Sequence, residues 1–282
     1  MSETHLPESE QSIIDWQAPW LKHLPLEACD WVQSPNLIES LNHATKGLLK
    51  SGSGQTLTFI PQTDLPDGEA YEAHIYRTGG VPTRLNLHDF FNACIWLTFP
   101  KTKAVLNARQ AEQIATLGVQ HERGVARDAL TLFDENAGIL VTANTGVSDA
   151  LRQFDWHNAL VSTRSLWDNP FQPNPSAQAA LYPFGHALLE KLTAPYKAIC
   201  THTWVVSVEA SWFALPLPER LRDLDHRLAE QLAHISLNPR DFCPLPVLGV
   251  PHFWADNAEQ TFYNDARVFR AGRTRLSATP KH

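Results

Sequence analysis

The chain has 282 residues, 43% of them hydrophobic and 19% charged, with a formal net charge of −7 from 23 Lys and Arg against 30 Asp and Glu. That composition excludes collagen-like, disulfide-scaffold and disordered classes and supplies apolar material for a full core. The net negative charge also argues against a protein that coats nucleic acid through bulk positive charge.

Four cysteines, none in a C-x-x-C pair, give neither a zinc-ribbon spacing nor a disulfide lattice, so a reducing compartment is expected. The acidic, polar start MSETHLPESEQ does not resemble a secretory leader, and no stretch reaches the length of a membrane span. A cytoplasmic protein without membrane association is therefore expected. Residues 1–11 read as a flexible tail, 12–270 as one folded domain, and 271–282 as a flexible basic tail.

In chain order, SPNLIESLNHATKGLLKSGSG reads as a helix capped by Ser34, opened by Pro35 and ended at Gly52 or Gly54. QTLTFIP alternates as a strand, and AYEAHIYRTGG is read as a second one. From Asn86 to Gly118 the pattern is helical, with Pro100 opening a second helix. ALTLFDENAGILVTA reads as two strands around a hairpin turn at Asp134–Gly138. Short helices are expected over Ser148–Phe154 and Trp156–Trp167. GHALLEKL then reads as a helix, TWVVSVEA as a strand, and PLPERLRDLDHRLAEQLAHIS as a long amphipathic helix. Prolines 244, 246 and 251 predict that CPLPVLGVPHFWADN is irregular and wraps the body. Helices and strands mix without a βαβ rhythm, so the expected class is α+β, with short antiparallel strands.

Function is sought where polar residues enter apolar patterns. LHDFFNACIWLTF is apolar around nearly its whole circumference, which predicts a buried helix, yet His88, Asn92 and Trp96 share one stripe with Asp89 at its edge. On the following helix Lys103, Asn107 and Gln110 fall at i, i+4 and i+7 on the same arc as Leu106, Ile114 and Leu117. Two consecutive inward polar stripes could wall one cleft, because buried polar groups cost stability unless they are paired or used. The simpler reading is a hydrogen-bond network that fixes helix packing.

Residues 77–127 carry seven basic against three acidic side chains, a local +4 inside a remainder of −11, which suits an anionic ligand held at one place. On this reading Arg123 and Arg127 are candidates for holding an anion. His186 and Glu190, one turn apart in GHALLEK, are candidate metal ligands or an acid–base pair. Asp134, Glu135 and Asn136 read more simply as turn formers.

The stretches RTGGVPTRLNLHDFFNACIWLTFPKTKAVLNARQA (77–111), RDALTLFDENAG (127–138), GHALLEK (185–191), PLPVLGVPHFWADN and FYNDARVFR (244–270) resemble a proteobacterial family catalogued as domain of unknown function 3025. The resemblance implies a bacterial intracellular protein with one long domain, and it assigns no reaction, cofactor or residue.

The functional expectation is an enzyme acting on a small anionic substrate of phosphoester type, a hydrolase with metal assistance as an option. His88, Asp89 and Lys103 are the catalytic candidates, and Asn92, Asn107, Gln110, Arg123 and Arg127 the substrate-binding ones. A divalent metal would fall to His88, Asp89, His186 and Glu190. The alternative is a non-catalytic binding protein for a nucleotide, RNA or acidic partner through the basic segment 77–127.

Overall fold

In the computed structural model, which describes residues 4–117 and 125–272, ten helices and six strands form an α+β fold. The first elements are α1 (Glu8–Gln11), α2 (Ala28–Trp31) and α3 (Leu37–Thr45). Residues 6–11 are part of the body, contrary to the expected tail: Leu6 is fully buried, and the Glu10 carboxylate accepts the Leu87 backbone N–H at 2.8 Å. Of the C-terminal tail, residues 273–282 lie outside the described residues. Asn36, not Ser34, caps α3, and the helix ends at Lys46, whose left-handed φ of 49° breaks it before the glycines. The Ser51–Gly54 loop instead docks on a later helix. A Cβ on Gly52 would meet the Ala108 backbone nitrogen at 2.5 Å, so only glycine allows that approach.

Strands β1 (Thr58–Pro61) and β2 (Gly80–Thr83) pair in parallel. Between them, the segment expected as a second strand is a helix, α4 (Tyr71–Thr78), stopped by Gly79 in the left-handed conformation at φ 79°. Its Tyr71, Ala73 and Ile75 satisfy a two-residue alternation, but Ile75 and His74 are buried together on one helical face.

Helix α5 (Leu87–Thr98) is capped by Asn86, and α6 (Pro100–Leu117) follows at once, both as expected. The next correction is at the presumed hairpin. Here α7 (Val125–Asn136) runs directly into β3 (Ala137–Thr142), which is buried along its whole length. Gly138 is a strand glycine, because a Cβ there would stand 2.7 Å from the Thr201 hydroxyl; close approach and not a turn demands it. Helix α8 (Thr145–Arg152) overlaps the helix expected over Ser148–Phe154 but starts three residues earlier, whereas 156–167 holds a π-type turn at His157–Val161 and a 3-10 turn at Arg164–Leu166.

The main sheet has the order β4-β3-β5-β6, with β4 (Ala179–Pro183) antiparallel to β3, β5 (Cys200–Ser207) parallel to β3, and β6 (Cys243–Pro246) antiparallel to β5. The prolines of 243–246 do not prevent a strand, since β6 lies at the sheet edge, where the missing N–H groups leave no ladder bond unmade. Helices α9 (His186–Lys191) and α10 (Leu217–His234) complete the set. α10 packs on α6; α9 packs on both α5 and α7 and so carries GHALLEK to the polar stripe of α5. Among the described residues no helix is long and apolar enough to cross a membrane.

Candidate active site

α5 is buried because its apolar residues cover every direction: Phe90, Phe91, Cys94, Ile95 and Trp96 are each at most 1% exposed. Polar groups on such a helix need partners, and they find them in one cleft of about 480 Å³ between α4, α5, α6, α7 and α9. Its lining includes Tyr71, Glu72, His88, Asn92, Asp134 and His186.

On its wall, His88 and His186 belong to a chain of three side chains that Glu190 completes. His88 Nδ1 lies 2.9 Å from Glu190 Oε2, and His88 Nε2 lies 3.1 Å from His186 Nε2, the two rings nearly perpendicular at 83°. A carboxylate only accepts, so His88 Nδ1 carries a hydrogen, and in its neutral form His88 Nε2 accepts from His186 Nε2–H. His186 Nδ1 is buried near the Asp134 backbone without a hydrogen bond of good geometry among the described residues. Burial, opposed by the Asp134 charge, lowers the His186 pKa to about 4 and keeps this ring neutral at pH 7.

Gly185 makes the placement of His186 possible. A Cβ at this position would stand 2.3 Å from the Glu135 carbonyl oxygen, so the start of α9 can touch the end of α7 only through glycine.

Behind the cleft wall, Lys103 Nζ donates to Asn92 Oδ1 at 2.8 Å and to Asp134 Oδ1 at 2.5 Å, and lies 5.3 Å from the centre of the Trp96 ring. The lysine is 3% exposed. Burial alone would raise the Asp134 pKa, but Lys103, helped by His186, outweighs it and holds the carboxyl below its ordinary value. Glu72 is pushed up, first by burial and then by the Asp134 charge. Asn92 Nδ2 donates to the Tyr71 hydroxyl at 3.0 Å, and burial followed by the Glu72 charge keeps that phenol well above its usual range.

The structure thus brings together His88, Asn92, Lys103, His186 and Glu190, as well as Gln110 and Arg127 in the cleft lining. Asp89 stands apart from this chain although it lines the cleft. Its two oxygens take the Arg84 backbone N–H and guanidinium at 2.6–3.1 Å, so it braces the turn into α5. Asn107 is likewise internal: it accepts from Gly52 N–H and donates to the Glu72 backbone and carboxylate. Arg123 lies outside the described residues. His88, His186 and Glu190 bond to one another, and among the described residues no group of three or more His, Cys, Asp or Glu is arranged to hold a metal ion.

Much of the local positive charge of segment 77–127 is engaged within the fold. Arg77 pairs with Glu69, Arg84 with Asp89 and Lys103 with Asp134, while Arg109 donates to the Leu232 and Ile235 carbonyls at the end of α10.

Tyr71, Glu72 and Asp134 are the site residues that sequence reasoning missed. The first two were assigned to a strand and the third to a turn. The signal that could have found them is the helical spacing of Tyr71, His74 and Ile75 before Gly79, and the continuation of the α7 apolar face through Leu130 and Phe133.

Buried neutral histidines give the protein an acid-sensitive stability. His23, which contacts the Pro183 carbonyl at 2.7 Å, is lowered to about 4 by burial, as is His186, against an ordinary 6.5. The unfolded chain therefore takes up protons below pH 6.5 that the folded chain refuses until near pH 4, and stability falls as pH drops through that window. The expected loss at pH 5 is about 2 kcal/mol per histidine relative to pH 7. Urea unfolding at the two pH values checks this, and the loss should shrink in His23→Phe.

Among the curated proteins and the solved structures, none matches this chain. A family match covers most of its length and includes every described cleft residue: the chain belongs to the family described as protein of unknown function (DUF3025), which matches residues 57–273.

Proposed function

We propose that this protein is an enzyme that uses acid–base chemistry to hydrolyse a small anionic substrate of phosphoester type in the cleft between α5, α7 and α9. The observation that carries the reading is the Glu190–His88–His186 chain on the wall of a polar cleft. Glu190 orients His88 and fixes its tautomer, which leaves His88 Nε2 as the basic nitrogen of the site. In hydrolysis the attacking water takes the place of the His186 N–H on His88 Nε2, which accepts the water proton as the water oxygen bonds to phosphorus and the ester P–O bond breaks, and then returns that proton to the departing ester oxygen.

Arg127 lines the same cleft and would hold the anionic group; Gln110 can donate to it. Lys103 acts through Asn92 and Asp134, whose positions it fixes from behind.

The alternative of a binding protein that uses the basic segment draws less support, because Arg77, Arg84, Lys103 and Arg109 make their contacts within the fold. The test is turnover of aryl phosphomonoesters, phosphodiesters and carboxylic esters by the purified full chain, with and without added divalent metal. Turnover of a phosphoester that does not need metal is the expected result. Salt-sensitive binding of nucleotides with no turnover of any ester would favour the alternative.

A further inference from the structure

Behind β4, away from the His88 chain, the fold encloses a second cavity of about 130 Å³. Its walls are aromatic, aliphatic and proline side chains, among them Trp167, Leu181, Val250 and Phe253. That is close to the size of an engineered apolar cavity of about 150 Å³ that takes up benzene.

Three charged groups line this cavity: Lys22, whose ammonium donates to the Trp16 carbonyl at 3.1 Å and to Gln17 Oε1 at 2.9 Å, and the ion pair of Arg220 and Asp168. Arg220, 3% exposed, donates to Asp168, to the Leu215 carbonyl at 2.8 Å and to the Phe213 carbonyl, while Asp168 also accepts the Asn169 and Asn174 N–H groups. Two neutral groups keep unused hydrogen-bonding capacity. The Tyr182 hydroxyl, buried with its oxygen against the Arg220 guanidinium, has no acceptor for its own hydrogen among the described residues. His23 gives its Nε2 hydrogen to the Pro183 carbonyl, which leaves Nδ1 of this neutral ring as an acceptor. The two rings meet edge to face with centres 5.9 Å apart, and both residues line the cavity. A buried donor without an acceptor is costly, and a ligand hydroxyl can both accept from the phenol and donate to the imidazole.

We propose that this cavity is a binding site for a small uncharged aromatic alcohol or phenol, with its ring among Trp167, Leu181, Val250 and Phe253 and its hydroxyl between Tyr182 and His23. The inference is independent of the chemistry assigned to the His88 cleft. An anionic ligand is disfavoured by the apolar walls, since only Lys22, already held by the Trp16 carbonyl, Gln17 Oε1 and the Phe171 ring, would offset its desolvation.

Ligand-observed NMR titration of the full chain with benzyl alcohol, toluene and benzoate tests it. Saturable benzyl alcohol binding is expected, with benzoate at least about tenfold weaker. Tyr182→Phe should weaken benzyl alcohol about tenfold and leave toluene unchanged, since only the hydrogen bond is removed. Ala180→Leu, which places a larger side chain in the cavity wall, should abolish binding of both. Failure of benzyl alcohol to saturate would overturn the proposal, as would benzoate binding the more tightly or a titration unchanged in both variants.

Discussion

His88→Ala should lower kcat on the turned-over ester by about 10²–10⁴-fold, the range for loss of a positioned general acid–base group. Stability should change little. The His88 side chain is 30% exposed and Glu190 45% exposed, so truncation strands no buried charge and removes hydrogen bonds that water can replace. Melting should shift by no more than about 2–4 °C, the equivalent of about 1 kcal/mol for a chain of this size. Glu190→Gln should retain the fold and displace the limb of the pH–rate profile that reports His88, because an amide cannot stabilise the imidazolium as a carboxylate does. A purely architectural His88 gives the opposite pattern: the variant melts early, and the molecules that remain folded turn over normally.

The second large effect concerns stability. Lys103→Met should cost about 3–5 kcal/mol, because it leaves the Asp134 carboxylate buried without its cation and close enough to Glu72 to raise that group's pKa. Lys103→Met combined with Asp134→Asn should recover most of the loss, since replacing both members of a buried pair removes the stranded charge along with its partner. Chemical denaturation of the two variants beside the wild type reads this directly. The single variant should also lose part of its deficit relative to the wild type as pH falls, because protonation of Asp134 then replaces the missing lysine. A single variant as stable as the wild type would show that the pair does not hold the cleft wall.

The polar stripes were legible because they break an apolar pattern at fixed helical spacing. His88 and Asn92 on α5, and Lys103, Asn107 and Gln110 on α6, needed only the 3.6-residue repeat to be placed facing inward, and the last four are at most 7% exposed. Spacing could not show what lies across from them. Asn107 and Asp89 obey the same pattern as His88, yet one is tied to Gly52 and Glu72 and the other to Arg84. Those partners come from distant or differently folded segments. The approach of α9 to α5 was open in the sequence for the same reason, since it depends on Gly185 meeting Glu135 across 50 residues.

Glycines and prolines misled where tertiary context outweighed local preference. Gly138 signalled a turn and serves a close strand crossing; Pro244 and Pro246 signalled irregular chain and lie on a sheet edge. The charge count holds as arithmetic but overstates the free charge. A local +4 describes sequence neighbours, whereas Arg77, Arg84 and Lys103 meet their carboxylates in space and leave much less free positive field than the tally suggests.

The account stands on the Glu190–His88–His186 chain, and ¹⁵N–¹H NMR of the imidazole groups in the full-length protein at pH 6 tests it without knowledge of the substrate. It predicts a hydrogen on His88 Nδ1 and a neutral His186 protonated at Nε2, with the His88 signals displaced in Glu190→Gln. A His88 bare at Nδ1, or a His186 already protonated at pH 6, would contradict it.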